Sequence, residues 1–287
     1  MKKIAVVTDS NAGITPEQAE ELGCFVVPMP FIIDGEIYYE NINLTQDKFY
    51  EIQKTTKITT SQPNINDVVE MWEGLLKEYD EVVHIPMSSG LSNSCETAAN
   101  FAQQFEGRVQ VVDNRRISVT LKQSVIDAIN MAKDGNDAKE IKEYLESTAA
   151  ESSIYIMVDT LKYLKQGGRI SPAAAAIGTV LGIKPVLQIQ GGKLETFTKV
   201  RNIKDAKAKM IEAIKKDLET RFATHLAERK MKLSVAHTRN EEIAKVFAEE
   251  IKTAIPGLEI SFMDPLSLSV ATHIGPNALA VTCQLVY

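Results

Sequence analysis

Apolar positions along this chain follow two periods, and the places where the period changes outline its elements. Continuous apolar runs at residues 3–8, 82–87 and 109–112 are bounded by charged, serine or asparagine residues. Such runs predict parallel strands covered on both faces. Elsewhere the period lengthens to that of a helix. Val68, Val69, Trp72, Leu75 and Leu76 share one face of a helix capped by Asn64 or Asn66, and Ala98, Ala99, Ala102 and Phe105 mark another. Thr15 with Gln18 and Asp137 with Glu140 form capping boxes that open helices reaching about Leu22 and Ala149. Residues 24–33 and 36–39 predict two strands around the Asp34-Gly35 turn, Thr45 caps a short helix, and residues 121–132 are helical. Strand, helix and strand in succession predict an α/β domain with a parallel, doubly wound, Rossmann-like sheet over residues 1–153.

The pattern changes from residue 154 onward. An apolar run at 154–158 predicts a strand, Asp159-Thr160 opens a helical stretch, and Gly167-Gly168 stops it. Ser171-Pro172 starts the next helix as N-cap and first helical residue. Its following positions, including Ala173, Ala174, Ala175, Ala176, Ile177, Val180 and Leu181, are apolar on all sides, so it is buried or lines something apolar. The alanines suit either close packing of helix on sheet or room for a slender ligand. Residues 185–190 and 193–200 form a hairpin at Gly191-Gly192. A long helix over 204–229 carries the stripe Met210, Ile214, Leu218, Phe222 and Leu226. Strands at 233–237, 258–263 and 277–287, with a helix at 241–253 capped by Asn240, complete an α+β domain over 154–287 whose sheet is mainly antiparallel.

Composition narrows the functional classes. A chain of 287 residues is long for one core, which agrees with two domains. The net charge of −6 argues against a general nucleic-acid binder. No apolar run approaches the roughly 18–20 residues of a membrane span, and Asp9 interrupts the first run too early for a signal peptide. Cys24, Cys95 and Cys283 lie far apart, against a disulfide framework or thiolate metal site. No phosphate loop, metal cluster or dinucleotide fingerprint is present, so no cofactor is expected and the protein reads as cytoplasmic.

Hydroxyl clusters are the main candidate chemistry. Ser88 to Ser94, SSGLSNS, follows a buried strand and precedes a helix, where backbone N–H groups and the helix dipole favour an anion. The same loop could simply cap the helix. Gly90-Leu91-Ser92-Asn93-Ser94 is also one residue short of a nucleophile elbow, which keeps open a serine hydrolase of acyl esters with Ser92 as nucleophile and His273 as base. Thr59-Thr60-Ser61-Gln62-Pro63 is a second hydroxyl cluster before a helix. Asp9-Ser10 and Asp113 end parallel strands, where open α/β sheets place ligands. His84 and His237 lie on apolar strands and read as core residues.

Several of these stretches recur in one known family. DTLKYLKQGGRIS, GIKPVL, GGKLE and KVR, together with TDSNAGI, TTSQP, MSSGLSNS, VVDN and THIGPNALAV, resemble the DegV family of bacterial fatty-acid-binding proteins, in the family's order and across the whole chain. The resemblance implies a carrier with no catalytic apparatus of its own. Such a carrier holds a long-chain fatty acid between its two domains and presents the carboxylate to a fatty acid kinase. The acyl phosphate then enters phospholipid synthesis.

By motif, the carboxylate-binding hydroxyls fall on Thr60 and Ser92, with Ser61, Asn93 and His273 around the head group. Arg169 and Arg201 fall at the ligand mouth and partner-docking rim. Ala173, Ala176, Ile177, Val180 and Thr120 would line the acyl tunnel. The chain departs from the family where glycines are usual: Asn93, Thr120, Lys122 and Asn277 stand in their places. Side chains at Thr120 and Lys122 could reshape or shorten the tunnel.

Overall fold

The computed structural model describes residues 2–170 and 182–287. The chain divides into two compact units, one running to Ala150 and including Tyr287, the other Glu151–Val286. The expected tunnel residues Ala173, Ala176, Ile177 and Val180, and the helix start at Ser171-Pro172, lie outside the described residues.

In the first unit, β1 (Ile4–Asp9) leads through α1 (Pro16–Leu22) to β2 (Phe25–Val27), then to β3 (Pro30–Ile33) and β4 (Glu36–Tyr39). Next come α2 (Gln46–Gln53), β5 (Thr59–Thr60), α3 (Ile65–Leu75), β6 (Glu81–Ile85), α4 (Ser94–Ala102) and β7 (Val109–Val111), and finally α5 (Val119–Lys133) and α6 (Ala138–Ser147). The main sheet is parallel in the order β2-β1-β6-β7. Alternate residues of these strands, Ala5, Val7, Val82, Val109 and Val111, pack with Val68 and Trp72 of α3 and Cys95 and Ala98 of α4 in one core. Both capping boxes form as the sequence predicts.

One expected strand is in fact two. Residues 24–33 split into β2, which joins the parallel sheet, and β3, which pairs antiparallel with β4 and β5. Pro28 and Pro30 interrupt the run, because proline has no N–H to give a ladder.

The second unit contains β8 (Ser152–Met157), α7 (Lys162–Gln166), the hairpin β9 (Lys184–Ile189) and β10 (Leu194–Val200), α8 (Ile203–Glu219) and α9 (Ala223–Ala227). After these come β11 (Met231–His237), α10 (Glu241–Ala254), β12 (Ile260–Pro265), α11 (Leu268–Ile274) and β13 (Leu279–Leu285). Its sheet runs β10-β9-β8-β13-β11-β12, antiparallel throughout except for the β11–β12 pair. The stripe Met210, Ile214, Leu218 and Phe222 packs with Phe247 and Ile251 of α10 against Tyr155, Leu233 and Val281.

The long helix expected over 204–229 breaks into α8 and α9. Lys216 O accepts from both the N–H and the hydroxyl of Thr220, and Phe222 N–H turns back to Asp217 O, which drops the Phe222 ring into the core. Asp217 is itself buried and accepts from Tyr155 Oη at 2.8 Å and Gln190 Nε2 at 3.0 Å, tying α8 to the sheet. Asn240 stands at the N-cap of α10 but makes no side-chain capping bond. Helix α11 has no counterpart among the elements that the sequence pattern predicts. Among the described residues, no helix is long and apolar enough to cross a membrane.

Candidate functional site

Strand order decides where the first unit can hold a ligand. From β1 the chain moves outward to β2, and from β6 it moves the other way to β7, so the order reverses between β1 and β6. That reversal opens a crevice beyond the C-terminal ends of the two strands. Asp9 ends β1, and the chain leaves β6 into Pro86, Met87 and the SSGLSNS loop.

Hydrogen bonds hold this crevice in shape. The buried Asp9 carboxylate accepts from Met87 N at 2.8 Å on one oxygen, and from Asn11 N at 2.9 Å and Asn11 Nδ2 at 2.8 Å on the other. Burial pushes its pKa up, while those three bonds favour the charged form. Ser88 N donates to Arg116 O, Ser88 Oγ accepts from Gly90 N, and Ser89 Oγ donates to Asp113 Oδ2 at 2.5 Å. Asp9 and Asp113 therefore brace the loop from either side.

Ser92 sits half-buried at the end of this loop. Its Oγ accepts from Ser94 N at 3.2 Å and so caps the first turn of α4, a role Asn93 does not take. With Oγ already accepting, the hydroxyl proton remains to donate to an anion. Of the other motif, Gln62 and Pro63 reach the same region. Thr60 pairs with Phe31 at the edge of the small sheet, and Thr97 Oγ1 of α4 donates to Gln62 Oε1 at 3.3 Å. Gln62 and Pro63 from one motif and Ser94 from the other line one cavity with Asp9, His84 and Thr97. Ser61 and Asn93 are exposed.

His84 is buried, as expected of a core histidine on an apolar strand. Its ring meets Trp72 edge-on, centroids 5.5 Å apart, and burial pushes its pKa down to about 3. It is a neutral imidazole at any physiological pH.

Two of the departures from glycine open α5. Ser118, which is not one of them, precedes that helix at φ 57 and ψ −138, with its N–H bonded to Asn11 O. Thr120 is fully buried and donates to Ile117 O at 2.8 Å. Lys122 is buried along its stem and reaches Gln18 Oε1 at 3.2 Å.

His273, Arg169 and Arg201 belong to the second unit. His273 is in the last turn of α11, and Gly275 N–H returns to Ala271 O to end that helix. The following turn is pinned by Thr238, a residue that no motif or periodicity singles out. Thr238 Oγ1 donates to Gly275 O at 2.7 Å and accepts from Ala278 N at 2.8 Å, and Asn277 N donates to Thr238 O. Burial, then the positive charge of Arg169, pushes the His273 pKa down to about 4. The ring therefore offers a neutral N–H or lone pair, not a charge. Arg169 is exposed and donates to Gly167 O at 2.5 Å. Arg201 is exposed between β10 and the Asn202 cap of α8.

Among the described residues, no group of histidine, cysteine and acidic side chains could hold a metal ion. Comparison with known proteins gives consistent matches. The family described as "uncharacterised protein, DegV family" matches residues 3–285. Protein DegV of Bacillus subtilis is 32% identical over 283 residues, covering 97% of this chain and 98% of its own. Among solved structures, DegV, a fatty acid binding protein from Bacillus subtilis, has a TM-score of 0.85 at 30% identity, covering 99% of this chain and 100% of that one. A DegV family protein from Thermus thermophilus, described for its fatty acid binding, has a TM-score of 0.87 at 27% identity, covering 99% of this chain and 100% of that one.

Proposed function

The chain belongs to the DegV family, and from that membership we propose that it is a fatty-acid-binding carrier. Thr60 and Ser92 hold the carboxylate, with Ser61, Asn93 and a neutral His273 N–H completing the head-group contacts. The acyl tail runs along Thr120, Ala173, Ala176, Ile177 and Val180. Arg169 and Arg201 form the rim on which a fatty acid kinase docks, and the carboxylate is phosphorylated there by the kinase. The carrier needs no catalytic group or cofactor of its own and works in the cytoplasm.

The observation that supports this reading most is Ser92. It lies in the loop that leaves β6, a strand at the reversal of order, and while its Oγ accepts from Ser94 N–H its hydroxyl still has a proton to donate. Relatives matched over nearly the whole chain are described as fatty acid binding. The tail supplies the bulk of the affinity. Each buried methylene is worth about 0.8 kcal/mol, so a 16-carbon chain offers roughly 11–12 kcal/mol before ordering costs. Protein purified through chromatography should retain fatty acid, read by mass spectrometry of a solvent extract. Preparations from several hosts that carry none, and that take up none when offered palmitate, would sink the proposal.

A further inference from the structure

Gly167 and Gly168 stand side by side at the end of α7, yet they are glycine for different reasons. Gly168 has φ +68 and nothing within 4 Å of where a Cβ would stand, so conformation alone accounts for it. Gly167 has φ −83 and ψ −7, which any residue adopts. A Cβ there would lie 2.1 Å from His273 Nδ1, 2.8 Å from Cε1 and 3.3 Å from Cγ. The space a side chain would take is filled by the imidazole.

The contact is reciprocal. A Cβ on Gly275, two residues beyond His273, would lie 2.4 Å from Tyr163 Cδ2 and 2.6 Å from Cε2. Thus α7 contributes the Tyr163 ring and the Gly167 gap, while the end of α11 contributes the His273 ring and the Gly275 gap. Thr238 holds the second partner still through its bonds to Gly275 O and Ala278 N.

We propose that Gly167 is a positioning residue for His273: its bare Cα is the seat of the imidazole, and that seat fixes the direction in which the ring presents its N–H. The functional half of this inference rests on the reading of His273 as a head-group donor. A neutral N–H is directional, weakening steeply as its angle departs from linear. A separation of 2.1 Å is far inside carbon–nitrogen contact, so alanine at 167 must displace the ring by about an ångström or more. A displaced ring leaves its buried, Arg169-facing position and regains the proton affinity of an exposed histidine.

The test uses full-length Gly167→Ala, with Gly168→Ala as a matched control, since the second strains the backbone but meets no ring. His273 is followed by NMR titration of its Cε1–H, and palmitate affinity by calorimetry. In Gly167→Ala the His273 midpoint should rise from about 4 toward the ordinary 6.5, and palmitate should bind about tenfold more weakly, near 1.4 kcal/mol. Gly168→Ala should leave the midpoint in place. In a His273→Ala background the same Gly167→Ala change should add less than about twofold, because the ring it displaces is gone. An unmoved midpoint, or an equal affinity loss with and without His273, overturns the proposal. Should Gly167→Ala fold poorly, its melting temperature decides: recovery in the double variant supports the seat, and no recovery overturns it. A wild-type protein that takes up no palmitate would sink the proposed function, and the titration would still judge the seat.

Discussion

Acid should weaken the first unit through His84, by an amount the structure sets. The native ring, buried against Trp72, has a pKa near 3, whereas an unfolded histidine sits near 6.5. Between those values the unfolded chain binds a proton that the native one refuses, so stability falls as the pH falls. The contribution is intact above the unfolded pKa and lost progressively down to the folded one, with a limiting slope of about 1.4 kcal/mol per pH unit. From about pH 7.5 to about pH 5 the loss attributable to this ring is roughly 2 kcal/mol. His84→Phe keeps an aromatic ring against Trp72 and removes the proton. Urea unfolding of both proteins across that window should show wild type losing about 2 kcal/mol relative to His84→Phe as the pH drops. Asp9 lines the same cavity, but its carboxylate is present in both proteins and cancels in the difference, as do His237 and His273. Parallel curves would mean that native His84 protonates normally, and the burial argument would fall.

At the head-group site, Ser92→Ala should weaken palmitate binding about ten- to a hundredfold without abolishing it, because a hydroxyl–carboxylate bond contributes about 1.5–3 kcal/mol and the tail far more. Thr60→Val should behave alike, and unchanged affinity in both would remove these hydroxyls from the site. Thr120→Gly should shift the acyl profile of extracted lipid toward bulkier tails. If the profile matches wild type, Thr120 does not touch the ligand. Thr238→Val strands Gly275 O and Ala278 N in a buried turn and should lower stability by about 2–4 kcal/mol. Equal urea midpoints would show that the turn holds without it.

Local sequence signals decided most of the elements, because the interactions that start and stop them are local. The capping boxes at Thr15 and Asp137, the Asn64 cap and the Gly191-Gly192 hairpin all stand where side-chain and backbone groups within a few residues satisfy one another. Buried runs such as Glu81–Ile85 are equally legible, because a parallel strand covered on both faces has no polar period to hide it. The family motifs carried the candidate residues, since hydroxyl-rich loops after such strands are recognisable as text.

What tertiary structure decided is non-local. Whether residues 24–33 make one strand or two depends on which sheet each half can join, and whether 204–229 bends depends on Asp217 being fixed by Tyr155 and Gln190 from the sheet. Helix α11 is short, and its place is set by Thr238, well upstream at the end of β11, which bonds both Gly275 and Ala278. The neutral state of His273 likewise needs burial and Arg169, neither visible from THIGPN alone. Gly167 shows the limit most clearly. In sequence Gly167-Gly168 reads as a helix stop, and for Gly168 that is the whole reason. Only in three dimensions does an imidazole 106 residues away prove to occupy the place of the Gly167 side chain. Local pattern reports what the backbone must do, whereas packing reports what must be absent so that something distant can fit.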